Sequence, residues 1–371
     1  MKPNSFSVVV PTHDRCELVG ALLQTLVGAR DCYTSDVEIL IIDSTEGKNA
    51  DVIRTLCTNA QARYFQCENN VCKKRNLGIH EAANEYVLFT DSDCEVPPDI
   101  FEQHAKAYGM DGESIGGVLG LTIVFGNKAP VWETLKLDRA FTSAFFYARL
   151  SEKAPWGTCT NLSFRRDILD QIGGFDNEWP LVVYGEDVDL GLRINKAGFD
   201  IKCNPSAVVK HNSINVSSYK QVFRKKVLCG KADYYLGEKH ADHLAPEFPG
   251  WTAIAFLSLP IVLIRCFITR SIEPLFFCFL GLFLGIILQA LLTALENKTG
   301  VKSVLRQSIV ILFEASFEAG RMFAALRHGQ IYRLWTKFVY GDRQLLGERK
   351  KRVQQIWGIL LFLCILLIVS S

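Results

Sequence analysis

In the first 90 residues, short uninterrupted apolar stretches alternate with amphipathic ones, and this alternation most narrows what the chain can fold into. The stretches at 6–10, 38–42, 64–65 and 86–90 read as strands; those at 16–27, 50–62 and 73–83 read as helices. Strands apolar on both faces must be covered on both faces, which calls for a largely parallel sheet sandwiched by helices. The Pro97-Pro98 pair leads into a further helix, and an apolar run at 115–124 continues the domain. The expectation is an α/β domain over 1–240, with a Rossmann-like half at 1–110 and a second half at 111–240.

The strand at 86–90 runs into Asp91-Ser92-Asp93, two carboxylates at i and i+2. At a strand's carboxyl end, where ligands of α/β sheets collect, such a pair suits a divalent ion carrying a diphosphate. An ordinary acidic loop would look the same, so the assignment depends on its company. The chain has no Gly-x-Gly-x-x-Gly fingerprint; its first two strands end in Pro11-Thr12-His13-Asp14-Arg15 and Asp43-Ser44-Thr45-Glu46-Gly47. These polar groups could hold a nucleoside, or simply cap turns. Lys73, Lys74 and Arg75 open a helix, which is either a solvated basic face or a phosphate site at a helix N-terminus.

Further on, Asn161 sits where a strand leaves a loop, and Glu186, Asp187 and Asp189 open a helix that ends at Gly198. Acids in a first turn favour the helix dipole whether or not they are catalytic. Trp156, Trp179 and Tyr184 flank these elements and could pack on sugar faces or in a core.

Charge separates the two ends of the chain. From residue 251 onward there are 14 Lys and Arg against 6 Asp and Glu; before it, 27 against 33. The basic tail is also strongly apolar. Residues 275–295 carry no charge over 21 positions, about the ~20 needed for a helix to cross a bilayer. Residues 252–269 and 355–370 are further candidate spans, and 304–326 reads as an interfacial or bundle-packed helix with Arg306, Gln307, Glu314, Glu318 and Arg321 on one stripe. A basic segment at 327–352 is expected on the cytoplasmic side, as is the N-terminal domain, whose first strand has no signal-like stretch before it. The twelve cysteines show no zinc spacing and read as reduced, buried residues.

Taken in order, the stretches Val8 to Thr12, Asp43 to Thr45, Arg75 to Gly78, Asp91 to Asp93, Asn161 to Arg165 with Gly173 to Asp176, Gly185 to Leu190 and Pro205 to His211 resemble the family 2 glycosyltransferases of GT-A fold. The resemblance covers roughly residues 5 to 235. It implies that Pro11, Thr12, Asp14, Asp43, Lys73, Arg75 and Asp91 meet a nucleotide-sugar donor, most commonly a uridine diphosphate sugar. Asp93, with Asp91 and His211, would hold a Mg²⁺ or Mn²⁺ ion. Asp187, beside Glu186, would be the general base of a single inverting displacement. Asn161, Trp156, Trp179 and Tyr184 would face the acceptor, and Arg224, Lys225 and Lys231 a diphosphate or the membrane surface.

The second strand departs from the pattern, carrying one acid where paired acids are usual. Lys225 also stands where processive members have Trp, so the chain is closer to membrane-anchored transferases of the succinoglycan-assembly type. The implied partners are a nucleotide sugar, a lipid-linked or polysaccharide acceptor and membrane lipids, with no nucleic acid. A polyprenyl-phosphate sugar synthase and an inactive sugar-nucleotide-binding scaffold are the alternatives.

Overall fold

The computed structural model of the chain describes residues 4–109, 114–126, 130–300, 303–341 and 348–370. They group into two compact units, one of residues 1–127 with 142–215, the other of 128–141 with 216–371.

The first unit is built on β1 (Phe6–Thr12), β2 (Val37–Asp43), β3 (Arg63–Gln66) and β4 (Tyr86–Phe89), joined by α1 (Cys16–Cys32), α2 (Lys48–Asn59) and α3 (Val71–Glu81). These four strands pair in parallel in the order β3-β2-β1-β4, the Rossmann-like half that the alternation implies. The apolar residues of β1, β2 and β4 are buried on both faces, as in Val8, Val9 and Val10 of β1, whereas those of the edge strand β3 are partly buried. Helix α3 lies so close to β1 that a Cβ on Gly78 would stand 2.3 Å from Val9 Cγ1.

Past β4 come β5 (Cys94–Glu95), α4 (Ile100–Gly109), β6 (Ile115–Phe125), α5 (Pro130–Leu135), α6 (Arg139–Phe146), β7 (Lys153–Ala154), β8 (Leu162–Arg165), α7 (Arg166–Ile172), α8 (Glu186–Lys196) and β9 (Asp200–Asn212). The sheet becomes mixed here: β8 runs antiparallel between β4 and β6, while β9 is parallel to β6 and antiparallel to β5 and β7. Two consequences follow for the site. Antiparallel pairing sets the residues before β8 beside those after β4, and the pairing of Cys94 with His211 brings β9's end against Asp93. The result is a GT-A-like, mostly parallel sheet covered by helices.

The second unit contains α9 (Tyr219–Lys239), α10 (Trp251–Thr269), α11 (Glu273–Glu296), α12 (Val304–Arg327) and α13 (Glu348–Ser370), with a small hairpin-like pair β10 (Leu244–Pro246) and β11 (Thr336–Phe338). Ser218 and Gln221 form a reciprocal capping box that starts α9. From there α9 packs along α12 with backbones in contact: a Cβ on Gly230 would fall 1.8 Å from the Phe317 carbonyl oxygen, and one on Gly320 1.9 Å from that of Val227. Because α9 belongs to this unit, the unit boundary falls at 215–216 and not at 240.

Helix α12 is bundle-packed. Gln307, Ser308 and Arg321 are buried, whereas Leu305 and Phe323 are 71% and 56% exposed, so part of the polar stripe is turned inward. Gly281 and Gly285 of α11 sit against α13, where a Cβ on Gly285 would meet the Gly358 carbonyl at 2.6 Å. Two helices, α10 and α11, are long and apolar enough to cross a membrane, by length and composition; the apolar part of α13, Val353–Leu367, is shorter.

Candidate active site

The clamp forms at the end of β4. Asp93 is buried; its Oδ1 lies 3.2 Å from His211 Nε2, and its Oδ2 accepts a hydrogen bond from Arg15 at 2.9 Å. Asp91 Oδ2 accepts from Thr160 Oγ1 at 2.9 Å and stands 3.9 Å from the same His211 nitrogen. Burial works to raise the Asp93 pKa, but His211 and Arg15 outweigh it and hold it below the ordinary carboxylate value. Asp91 and Asp93 thus each set a carboxylate oxygen within 4 Å of the His211 Nε2, oxygen and nitrogen donors of the kind that suit Mg²⁺ or Mn²⁺. Phe145 stacks on His211, with ring centroids 5.9 Å apart.

The acids of α8 reach the clamp through one cation. Arg75, buried on α3, donates from Nη1 to Glu186 Oε1 at 2.7 Å; its Nη2 is 3.7 Å from Asp91 Oδ1, and its guanidinium covers the Phe175 ring. Arg75 thus links Asp91 after β4 to Glu186 at the start of α8, where the resemblance implied a donor contact. Asp187, half-buried in the next position, accepts its neighbour Val188's N–H at 2.9 Å. Burial, with the charge of Glu186 behind it, pushes its pKa up to about 7 against the pull of Arg75. The helix N-terminus alone would favour ionisation, but burial outweighs it here.

A cleft of about 730 Å³ opens near the carboxyl ends of β1 to β3, lined among others by His13, Asp14, Ser44, Glu46, Gln66 and Asn69. Its size suits a nucleoside. Asp14 borders it in a left-handed conformation, φ +52°, its N–H donating to Thr45 Oγ1. Asp43 does not present its carboxylate to the cleft. It is fully buried, with Oδ1 taking the Thr45 N–H and hydroxyl at 2.9 and 2.6 Å and Oδ2 taking the Tyr64 hydroxyl at 3.0 Å. A carboxylate already holding three donors serves the loop more than a base, and the cleft is lined instead by Glu46 and by two side chains the sequence did not single out, Gln66 and Asn69.

The lysines also exchange roles. Lys73 turns outward to an ion pair with Glu68 at 2.6 Å. Lys74, on the buried face with Arg75 and Gly78, donates to the Thr12 carbonyl at 2.7 Å and to Asn69 Oδ1 at 3.2 Å. Burial lowers its pKa to about 8. Pro11 and Thr12 belong to β1 itself, and Thr12 is buried.

Two expected acceptor residues are structural. Asn161 is fully buried: its Nδ2 donates to the carbonyls of Leu121 (3.0 Å) and Ala207 (2.8 Å), and its Oδ1 accepts from His104 Nε2 at 2.9 Å. Burial lowers the His104 pKa to about 4, so the ring is neutral and its other nitrogen meets the Ser163 hydroxyl at 2.8 Å. Asn161 braces three strands, and its hydrogen-bonding capacity is used. Asn161→Ala is expected to cost about 3 kcal/mol, since buried partners lose their hydrogen bonds at roughly 1–3 kcal/mol each. A urea midpoint shift with unchanged acceptor KM is the readout.

Trp179 is likewise buried, its Nε1 donating to the Tyr184 carbonyl at 3.0 Å. That bond pins the loop in which Tyr184 and Gly185 take φ of +85° and +92° just before α8. Trp156 and Tyr184 remain half-buried. Arg224, Lys225 and Lys231 lie on α9 of the second unit, with Lys225 over the Phe141 ring and Lys231 over that of Phe323.

Sequence comparison adds the family. The model of glycosyl transferase family 2 matches residues 7–173, which include Asp91 and Asp93 but end before α8 and His211. The O-antigen biosynthesis protein RfbC of Myxococcus xanthus is 22% identical over 62% of this chain and 18% of its own length. An N-acetylglucosaminyltransferase of Sinorhizobium fredii is 22% identical over 56% of this chain and 52% of its own. The chain thus spans about half or less of the length of these curated relatives. Among solved structures, the mannosyltransferase PcManGT from Pyrobaculum calidifontis, in complex with GDP-Man and Mn²⁺, aligns over 98% of this chain and 88% of its own at 14% identity and TM-score 0.47. The chain thus carries a glycosyl transferase family 2 domain over residues 7–173, which holds Asp91 and Asp93 at the end of β4.

Proposed function

We propose that the protein transfers one sugar, with inversion, from a nucleotide sugar such as a uridine diphosphate sugar to a hydroxyl of a lipid-linked saccharide or polysaccharide precursor. The observation that carries this reading is the Arg75 bridge, which sets Asp91, Asp93 and His211 and the acids of α8 around one site. A divalent ion there would neutralise the leaving diphosphate. Asp93 and His211 would hold it, with Asp91 shared between the ion and the donor's ribose. Arg75 keeps Glu186 engaged, which leaves Asp187 to take the acceptor's proton. With one base and no second carboxylate assigned as nucleophile, the displacement is single. Helices α10 and α11 would anchor the site at the cytoplasmic face of a membrane, near lipid-linked acceptors.

The first test is ion-dependent donor binding. Nucleotide sugars with Mn²⁺ should raise the thermal midpoint of the wild-type protein. Asp93→Ala should abolish the Mn²⁺-dependent part, whereas Asp91→Ala should retain some of it. An equal loss in both would remove the division of labour, and no shift with any donor would remove the reading.

The second test is pH. A base whose pKa lies at about 7 is protonated and idle below it. Turnover is expected to rise about tenfold per pH unit on the acid side and to level above pH ~7. A profile that is flat from pH 5 to 8 would contradict the raised pKa.

A further inference from the structure

Next to the clamp lies a third kind of ligand atom. Cys94 is buried directly after Asp93 and pairs with His211 across β5 and β9, and the ligating atoms of Asp93, Cys94 and His211 all lie within 4.8 Å of one another. The group thus offers one carboxylate oxygen, one sulfur and one imidazole nitrogen. Hard ions such as Mg²⁺ and Mn²⁺ favour oxygen and ignore a thiol, whereas zinc-class ions take sulfur and nitrogen readily and bind N/O/S sites more tightly than Mn²⁺. Asp93 and His211 belong to both sets.

We infer that Asp93, Cys94 and His211 form a binding site for a thiophilic divalent ion of the zinc class, which competes with the hard ion held by Asp91, Asp93 and His211. As the sulfur–metal bond forms, the thiol proton leaves to solvent and no electrons change hands. The fourth position falls to water. Two of the three ligands are shared, so the two ions exclude each other, and the zinc-class ion draws the coordination centre away from Asp91. This inference rests on Asp93 and His211 being cation ligands, as proposed above.

The test uses the full chain in detergent, stripped of metal and loaded with one equivalent of zinc. X-ray absorption at the zinc edge should show one sulfur at about 2.3 Å among lighter ligands, and zinc should displace Mn²⁺ as followed by electron paramagnetic resonance. Cys94→Ala should lose the sulfur and weaken zinc binding roughly 10- to 100-fold or more, with Mn²⁺ binding unchanged. A shell of nitrogen and oxygen only in the wild type, or a sulfur that survives in Cys94→Ala, overturns the site. Should Cys94→Ala not fold, Cys94→Ser replaces it, and the wild-type spectrum alone still decides. Absence of Mn²⁺ binding to the wild type would sink the cation reading of Asp93 and His211 itself, whereas Mn²⁺ binding without zinc–sulfur bonding sinks this inference alone.

Discussion

Asp187→Asn is expected to lower turnover by about 10² to 10⁴ while leaving donor affinity intact, the range in which a positioned general base contributes. The amide keeps the oxygen that accepts the Val188 N–H, so the start of α8 should not move. What disappears is the lone pair that takes the acceptor's proton. Donor affinity should survive because the cleft beyond β1 to β3 and the cation ligands after β4 and on β9 use side chains other than this one. Isothermal titration with a nucleotide sugar and Mn²⁺, set beside transfer rates, separates the two effects. Full turnover in the variant would take Asp187 out of the mechanism, and lost donor binding would reassign it to the donor.

The largest effect on stability is expected at the α9–α12 crossing. In Gly230→Val the new side chain meets the backbone of Phe317, and no rotamer change can move a carbonyl oxygen that its own helix holds. The helices must separate, which strips Val222, Val310 and Phe313 of part of their cover. Overpacking against backbone is expected to cost roughly 3 to 5 kcal/mol, a fall in thermal midpoint on the order of 10 °C. Gly28→Ala on α1 is the control: nothing lies within 4 Å of that Cβ, and the change should be neutral or stabilising. Equal midpoints for Gly230→Val and wild type would mean that the crossing is loose in solution.

These two variants mark where the sequence could and could not be read. The strand and helix order up to residue 109 was legible because burial on both faces prints uninterrupted apolar runs, and the clamp was legible because it ends one of them. Asn161 was not. Its role is set by carbonyls 40 and 46 residues away in sequence, and an asparagine at a strand end looks the same whether it faces a sugar or braces three strands. Asp43 misled for a related reason: Thr45 closes on it in a local turn, and Tyr64 takes its other oxygen only when β2 and β3 pair. Lys73 and Lys74 differ by one position of helical phase, which the N-cap Asn70 and the packing of Gly78 on Val9 decide. The raised pKa of Asp187 is a burial effect, and a first-turn acid in the sequence carries no sign of it.

Arg75 has a kinetic consequence. One guanidinium divides its field between the end of β4 and the start of α8, being 3.7 Å from Asp91 and 2.7 Å from Glu186. Positive charge arriving at Asp91 with the donor would release Arg75 toward α8, where its field favours the ionised form of Asp187. The base would then be most fully ionised once the donor is loaded and less so in the empty enzyme. Loading order would be written into the charge balance: donor first, acceptor second, with little tendency for the resting enzyme to activate a stray hydroxyl.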